Sequence, residues 1–153
     1  MNCETGARAL IEARHWIGTP YLHQASCRGA GADCLGLLRG VWRALYGAEP
    51  EPVPPYSADW SEPGRDEALW RAACRHLVAV PGPVGVLPAA PGEVLLFRMR
   101  PGAVAKHLGI AAEIGARASF VHAYTGHGVI ESPLSAPWAR RIVARFEFPR
   151  EPR

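Results

Sequence analysis

From residue 34 onward the apolar positions fall at Cys34, Leu37, Leu38, Val41, Trp42 and Leu45, the i, i+3, i+4, i+7 rhythm of one buried helical face. Asp33 is a favoured N-cap type and Gly47 a C-terminal stop, so the spacing predicts a helix from Cys34 to about residue 46. An earlier helix is predicted near Thr5 to Ile17, with Ala7, Leu10, Ile11 and Trp16 sharing a face and Gly18 and Pro20 ending it. A third opens at Asp66-Glu67 and runs to about Val78, with Leu69, Trp70, Ala73 and Leu77 turned inward. Leu22 to Ala32 has small residues and no period, and reads as a loop. Ala48 to Gly64 carries Pro50, Pro52, Pro54, Pro55 and Pro63 and reads as an extended surface segment.

After Pro81 the period changes from that of helices to that of strands. Glu93 to Met99, Lys106 to Ile114, Ser119 to Tyr124 and Val129 to Glu131 are short β-type runs, with a turn at Gly115 between the second and third. Ile142 to Phe148 alternates, which predicts Ile142, Ala144, Phe146 and Phe148 on one side and Val143, Arg145 and Glu147 on the other. Helices first and neighbouring strands afterwards argue for an α+β fold, N-terminal helices packed on a mostly antiparallel sheet. At 153 residues the expectation is a single domain, residues 1–153.

Composition narrows the function. The chain is 48% hydrophobic and 20% charged, ordinary for a globular domain, and its net charge of +3 is small. No Lys/Arg block with interleaved aromatics is present, which argues against a nucleic-acid partner. No stretch is long and apolar enough to predict a membrane span, and Met1-Asn2-Cys3-Glu4 lacks the apolar run of an export signal. The four cysteines, Cys3, Cys27, Cys34 and Cys74, form neither a CxxC pair nor a zinc-finger spacing, and whether Cys3, Cys27 or Cys74 pair is left open.

The chemistry concentrates on three residues. Cys34 falls at a helix N-terminus, where unpaired N–H groups and the helix dipole favour a thiolate, although the Asp33 carboxylate opposes it. His107 opens one predicted strand and His122 lies in the next, 15 residues on, a separation that suits two antiparallel neighbours carrying both rings on one face. If the Cys34 helix packs there, His107 can accept the thiol proton and His122 can hold the His107 ring in the useful tautomer. The blander readings are an inert buried cysteine and sheet-edge histidines. Zinc on Cys34, His107 and His122 is a further option, disfavoured by the lack of a closely spaced ligand pair, and the expectation is no metal and no cofactor.

Five collinear motifs spanning about residues 7 to 148 resemble the NlpC/P60 family of cysteine peptidases. They are Gly18-Thr19-Pro20-Tyr21, Asp33-Cys34-x-Gly36-Leu37, Pro91-Gly92-Glu93-Val94-Leu95-Leu96-Phe97, His107-Leu108-Gly109-Ile110 and Phe120-Val121-His122-Ala123. The resemblance implies a papain-like core with Cys34 as nucleophile, His107 as base and His122 as its orienting residue. Tyr21 is implied as a hydroxyl near the thiol that aids the Cys34 backbone N–H at the oxyanion, and Asp33 as a supporting residue. It implies hydrolysis of peptidoglycan stem peptides, typically between D-γ-glutamyl and a diamino acid. Two departures stand out: Leu35 replaces the usual serine after the cysteine, and Leu22-His23-Gln24-Ala25-Ser26 replaces the glycine pair after the tyrosine.

The run Asp-Cys-Leu-Gly-Leu-Leu-Arg-Gly-Val-Trp-Arg from Asp33 looks most like the branch found in tailed phages and gene transfer agents. That implies a cell-wall peptidase made in the cytoplasm, carried by phage-like tail or baseplate proteins and acting at the wall. Two alternatives come from other classes. One is an inactive tail-tip adaptor using the proline-rich segment and a basic surface of Arg140, Arg141, Arg145, Arg150 and Arg153. The other is a thiol acyltransferase or amidase.

Overall fold

A computed structural model describes residues 3–56, 66–83 and 85–152. The elements run α1 (Cys3–His15), β1 (Ser26–Cys27), β2 (Gly31–Ala32), α2 (Cys34–Tyr46), α3 (Ala68–His76), β3 (Val78–Ala79), β4 (Val94–Phe97), β5 (His107–Ala111), β6 (Ser119–Tyr124), β7 (Gly128–Pro133), α4 (Ala136–Ala139) and β8 (Ile142–Glu147). Six strands form one antiparallel sheet in the order β3-β8-β4-β5-β6-β7. The architecture is α+β, as the change of period predicts.

The α2 helix forms where the pattern places it. The Asp33 carboxylate accepts the Gly36 N–H at 2.7 Å, and the Gly47 N–H bonds the Arg43 carbonyl at 2.8 Å. Such a cap contributes about 1 kcal/mol. Leu37, Val41 and Trp42 are buried against Leu108, Ile110, Val121 and Ala123 of the sheet and against Ala9, Ala13 and Trp16 of the α1 layer. Close approach needs glycine twice here. A Cβ on Gly36 would lie 1.8 Å from the Ala25 carbonyl oxygen, and one on Gly40 would lie 2.0 Å from the Trp16 ring.

The face of α1 differs from the expected one. Thr5, Ala9, Leu10 and Ala13 are buried, whereas Ile11 is 58% exposed and Ala7 is exposed. The region read as a loop between Leu22 and Ala32 contains the β1–β2 pair, two residues each, too short to show a period. Of the proline-rich segment, residues 57–64 lie outside the described residues, as does Arg153.

The opposite sheet face carries a second cluster of Leu95, Phe97, Ala111, Phe120, Leu134 and Ile142, covered by the short α4. Ile142 corrects the simple alternation expected of β8. The β4–β8 register shifts between Leu96 and Phe97, so that Leu96 pairs with Ala144 and Phe97 with Ile142. The extra residue, Val143, sends Ile142 to the second face while Phe146 stays on the first. Arg145 corrects the expected basic surface. It is buried and donates to Glu93 at 2.9 Å.

Candidate active site

Cys34 is the first residue of α2 and is half-buried, with its backbone N–H at the positive end of the helix. Its sulfur donates to the Lys106 carbonyl at 3.5 Å, one residue before His107. The segment leading to His107 is fixed by Glu67, which accepts the Ala105 N–H at 2.8 Å and the Arg98 guanidinium at 3.1 Å. Glu67 makes no side-chain cap bond to α3, because its carboxylate is spent on this segment. The thiolate that the helix start favours is not the resting form. Burial, with the Asp33 carboxylate adding to it, pushes the Cys34 thiol up to about 12. Desolvation, which depends on the whole fold, outweighs the local dipole here.

The two imidazoles meet. His107 Nε2 lies 2.8 Å from His122 Nδ1, and His122 Nε2 lies 2.8 Å from the Ser132 hydroxyl on β7. Between β5 and β6, Ile110 pairs with Val121 and Ala111 with Phe120. Continuing that register puts His122 across from Gly109, so the histidines are diagonal neighbours rather than directly opposite. Gly109 is required there, since a Cβ would sit 2.7 Å from the Phe120 ring. With both Nε2 atoms as donors, a line of N–H bonds runs from His107 through His122 to Ser132. The Nδ1 of His107 is left as a proton acceptor.

An aromatic wall encloses the pair. Trp138 of α4 packs on His107 at 5.6 Å and on His122 at 5.1 Å, while Phe97 lies 5.5 Å from His107 and Tyr124 stacks on His122 at 5.3 Å. Burial lowers His107 to about 3, with His122 adding to it, and lowers His122 to about 4, with His127 adding to it. Both rings are therefore neutral at pH 7. The unfolded chain, with ordinary histidines near 6.5, takes up protons on acidification before the folded chain does. Stability is thus full above about pH 6.5 and falls as pH drops toward about 4, by up to about 1.4 kcal/mol per unit for each ring. Urea unfolding at pH 7 and pH 5.5 should show a loss of about 2 kcal/mol. His107→Gln/His122→Gln should flatten the dependence, and a wild-type curve already flat over this window would contradict buried neutral rings.

Tyr21 approaches from the other side. It bridges to Ala32 and is half-buried against the core, with the Thr125 side chain acting on its hydroxyl. Burial raises its hydroxyl pKa, and the Asp33 carboxylate acts on it in the same direction, as would a Cys34 thiolate once formed. Asp33 is 3% exposed. It caps α2, accepts the Gln24 N–H at 2.7 Å and accepts the Tyr56 hydroxyl, while His23 Nδ1 lies 3.7 Å away. The His23-Gln24 insertion therefore closes over the helix start, and Tyr56 of the proline-rich segment ties down onto it. Leu35, in place of the usual serine, lines an apolar cavity of about 100 Å³ with Leu38, Trp42, Leu69 and Leu108.

The structure thus brings His107 and His122 together, and sets Cys34 against the residue preceding His107 with Asp33 and Tyr21 around it. Ser132, Trp138, Glu67 and Tyr56 are partners that the sequence pattern missed. All four act through contacts distant in the chain. Among the described residues, no group of three or more His, Cys, Asp or Glu side chains is placed to hold a metal ion. All four cysteines are free, and no described helix is long and apolar enough to cross a membrane.

No family model matches the chain. It is 28% identical over 151 residues to murein DD-endopeptidase MepS/murein LD-carboxypeptidase of Escherichia coli K12, a match covering 94% of this chain and 66% of that protein. The chain thus spans just under two-thirds of that curated relative. Among solved structures, it is similar to the NlpC/p60 domain of the peptidoglycan hydrolase SagA, with TM-score 0.57, 25% identity, and coverage of 91% of this chain and 96% of that one. An NlpC/P60 family protein of Bacillus cereus ATCC 10987 superposes with TM-score 0.61 at 19% identity, covering 94% of this chain and 40% of that one.

Proposed function

We propose that this chain, which has the fold of NlpC/P60 peptidoglycan hydrolases, is a cysteine peptidase of the bacterial cell wall. The observation that carries the reading is the Ser132–His122–His107 hydrogen-bond line, with the Cys34 sulfur bonded to the carbonyl of Lys106, the residue before His107. In this reading the Cys34 sulfur attacks a stem-peptide carbonyl carbon while its proton passes to His107 Nδ1. His107 then gives that proton to the departing amine, leaving a thioester. Water adds to the thioester with His107 again as base, the carbon–sulfur bond breaks, and the acid leaves with the thiol restored. His122 holds the His107 ring through the 2.8 Å bond and shares the imidazolium charge, with Ser132 accepting from its far side. The oxyanion is met by the Cys34 N–H, with the Tyr21 hydroxyl beside it. Because thiol and imidazole rest uncharged, the proton moves as the sulfur–carbon bond forms, not before.

Finer expectations follow from the resemblance. The bond is the one between D-γ-glutamate and the diamino acid, and the protein reaches the wall on a phage-like tail. The test is digestion of purified sacculi followed by mass spectrometry and labelling of new amino groups. Release of peptides with a free α-amine on the diamino acid supports the reading. New amines elsewhere would move the scissile bond. No release at all favours the adaptor, and transfer of an added amine onto the acyl product favours acyl transfer. Rapid alkylation at mildly acidic pH does not separate enzyme from adaptor, since burial keeps the resting thiol protonated in either case.

A further inference from the structure

Beyond the reacting pair, on the side of α4 and β8, lies a groove of about 610 Å³. Its charged groups are Arg98, Arg140 and Arg141, and its apolar surface includes Trp70, Met99 and Ile142. We propose that this groove is a binding site for the free carboxylates of an acidic, aliphatic-rich peptide, and that it holds the part of the substrate remote from the bond cleaved. The identity of that substrate rests on the wall-peptidase reading. The groove itself does not.

The charges are placed for a ligand. Arg98 is committed within the protein, to Glu67 at 3.1 Å and to the Ala103 carbonyl, which fixes it as one rigid side of the groove. Among the described residues no carboxylate lies within ion-pair distance of Arg140 or Arg141, and Arg140 is exposed. A guanidinium presents a planar fork of N–H groups that matches a carboxylate with two parallel bonds. The apolar surface selects further. Trp70 and Met99 give area to methyl and methylene groups, so the fitting ligand pairs aliphatic surface with anionic ends.

Contiguity with the site comes through Trp138. The Arg141 guanidinium carbon sits 5.6 Å from the Trp138 ring centre, and the same ring packs on His107 at 5.6 Å and His122 at 5.1 Å. One tryptophan therefore separates the basic groove from the imidazoles. A peptide laid across it would place a carboxylate on the arginines and an amide toward the histidines.

The test uses the full chain carrying Cys34→Ala, so that ligand is bound and not consumed. The probes are synthetic L-Ala-γ-D-Glu-diaminopimelate with free carboxylates and the same peptide fully amidated, titrated by calorimetry at low and physiological salt. The free acid should bind at least tenfold tighter, and the gap should narrow as salt rises. Arg140→Gln/Arg141→Gln should weaken the free acid at least tenfold and leave the amide unchanged, with an unaltered melting temperature. Equal binding of acid and amide, an unaffected double variant, or tighter binding of a short oligonucleotide would overturn the proposal. Preference for acid over amide without hydrolysis of sacculi by the native chain would leave the groove standing and remove the peptidase reading. Hydrolysis without that preference would do the reverse.

Discussion

Cys34→Ala is expected to lower release of peptides from sacculi by at least about a thousandfold, the scale seen when a nucleophile is removed from a hydrolytic triad. The fold should survive. Cys34 is half-buried, and its hydrogen bond to the Lys106 carbonyl is long, at 3.5 Å. The helix is held instead by the Asp33 cap and by Leu37, Val41 and Trp42 in the core. Alanine is also the better helix former. The melting temperature should therefore stay within a few degrees while turnover disappears. Cys34→Ser should be nearly as inactive, because an alcohol is harder still to deprotonate than a thiol and His107, held down at about 3, is a weak base toward it. Steady-state release measured beside a circular dichroism melt separates the two effects. A Cys34→Ala rate within tenfold of native would remove the thiol from the chemistry.

The elements that could be read from the chain are those whose cause is local. Asp33, the apolar stripe from Cys34 to Leu45 and Gly47 between them specify α2, since cap, face and stop all lie within fifteen residues. The histidines could be paired because strand spacing is regular and the turn between β5 and β6 is short. What could not be read depends on distant partners. Trp138 lies on a four-residue helix that shows no period, yet it covers both imidazoles. Ser132 is an ordinary strand serine until β7 pairs with β6 and sets it beside His122. The bulge at Val143 is invisible in an alternating sequence, and it moves Ile142 across the sheet. The thiol illustrates the same division. A helix start argues for a thiolate from local structure, and the burial that overrides it is a property of the assembled fold.

Glu93→Ala is expected to destabilise the fold by about 3–5 kcal/mol, the cost of leaving one member of a buried ion pair without its partner. Glu93 is 3% exposed and Arg145 is 9% exposed. One carboxylate oxygen accepts from Arg145 at 2.9 Å, and the other accepts the N–H groups of Ala89 and Ala90 at 3.0 and 3.1 Å. Removing the carboxylate strands a guanidinium and two backbone donors together. Glu93→Gln should cost less, because the amide oxygen can still accept, while the charge on Arg145 goes unanswered. The double variant Glu93→Leu/Arg145→Met should recover part of the loss, since no buried charge then remains, and the cycle of single and double variants by urea unfolding measures that coupling. Additive losses would mean that the two side chains act independently. The pair matters to function through β4. Glu93 anchors the strand's entry, and at the other end Phe97 pairs with His107. Loosening the anchor should lower the fraction of folded protein more than the rate per folded molecule. Activity normalised to folded protein should therefore stay near native for Glu93→Ala even where total activity falls.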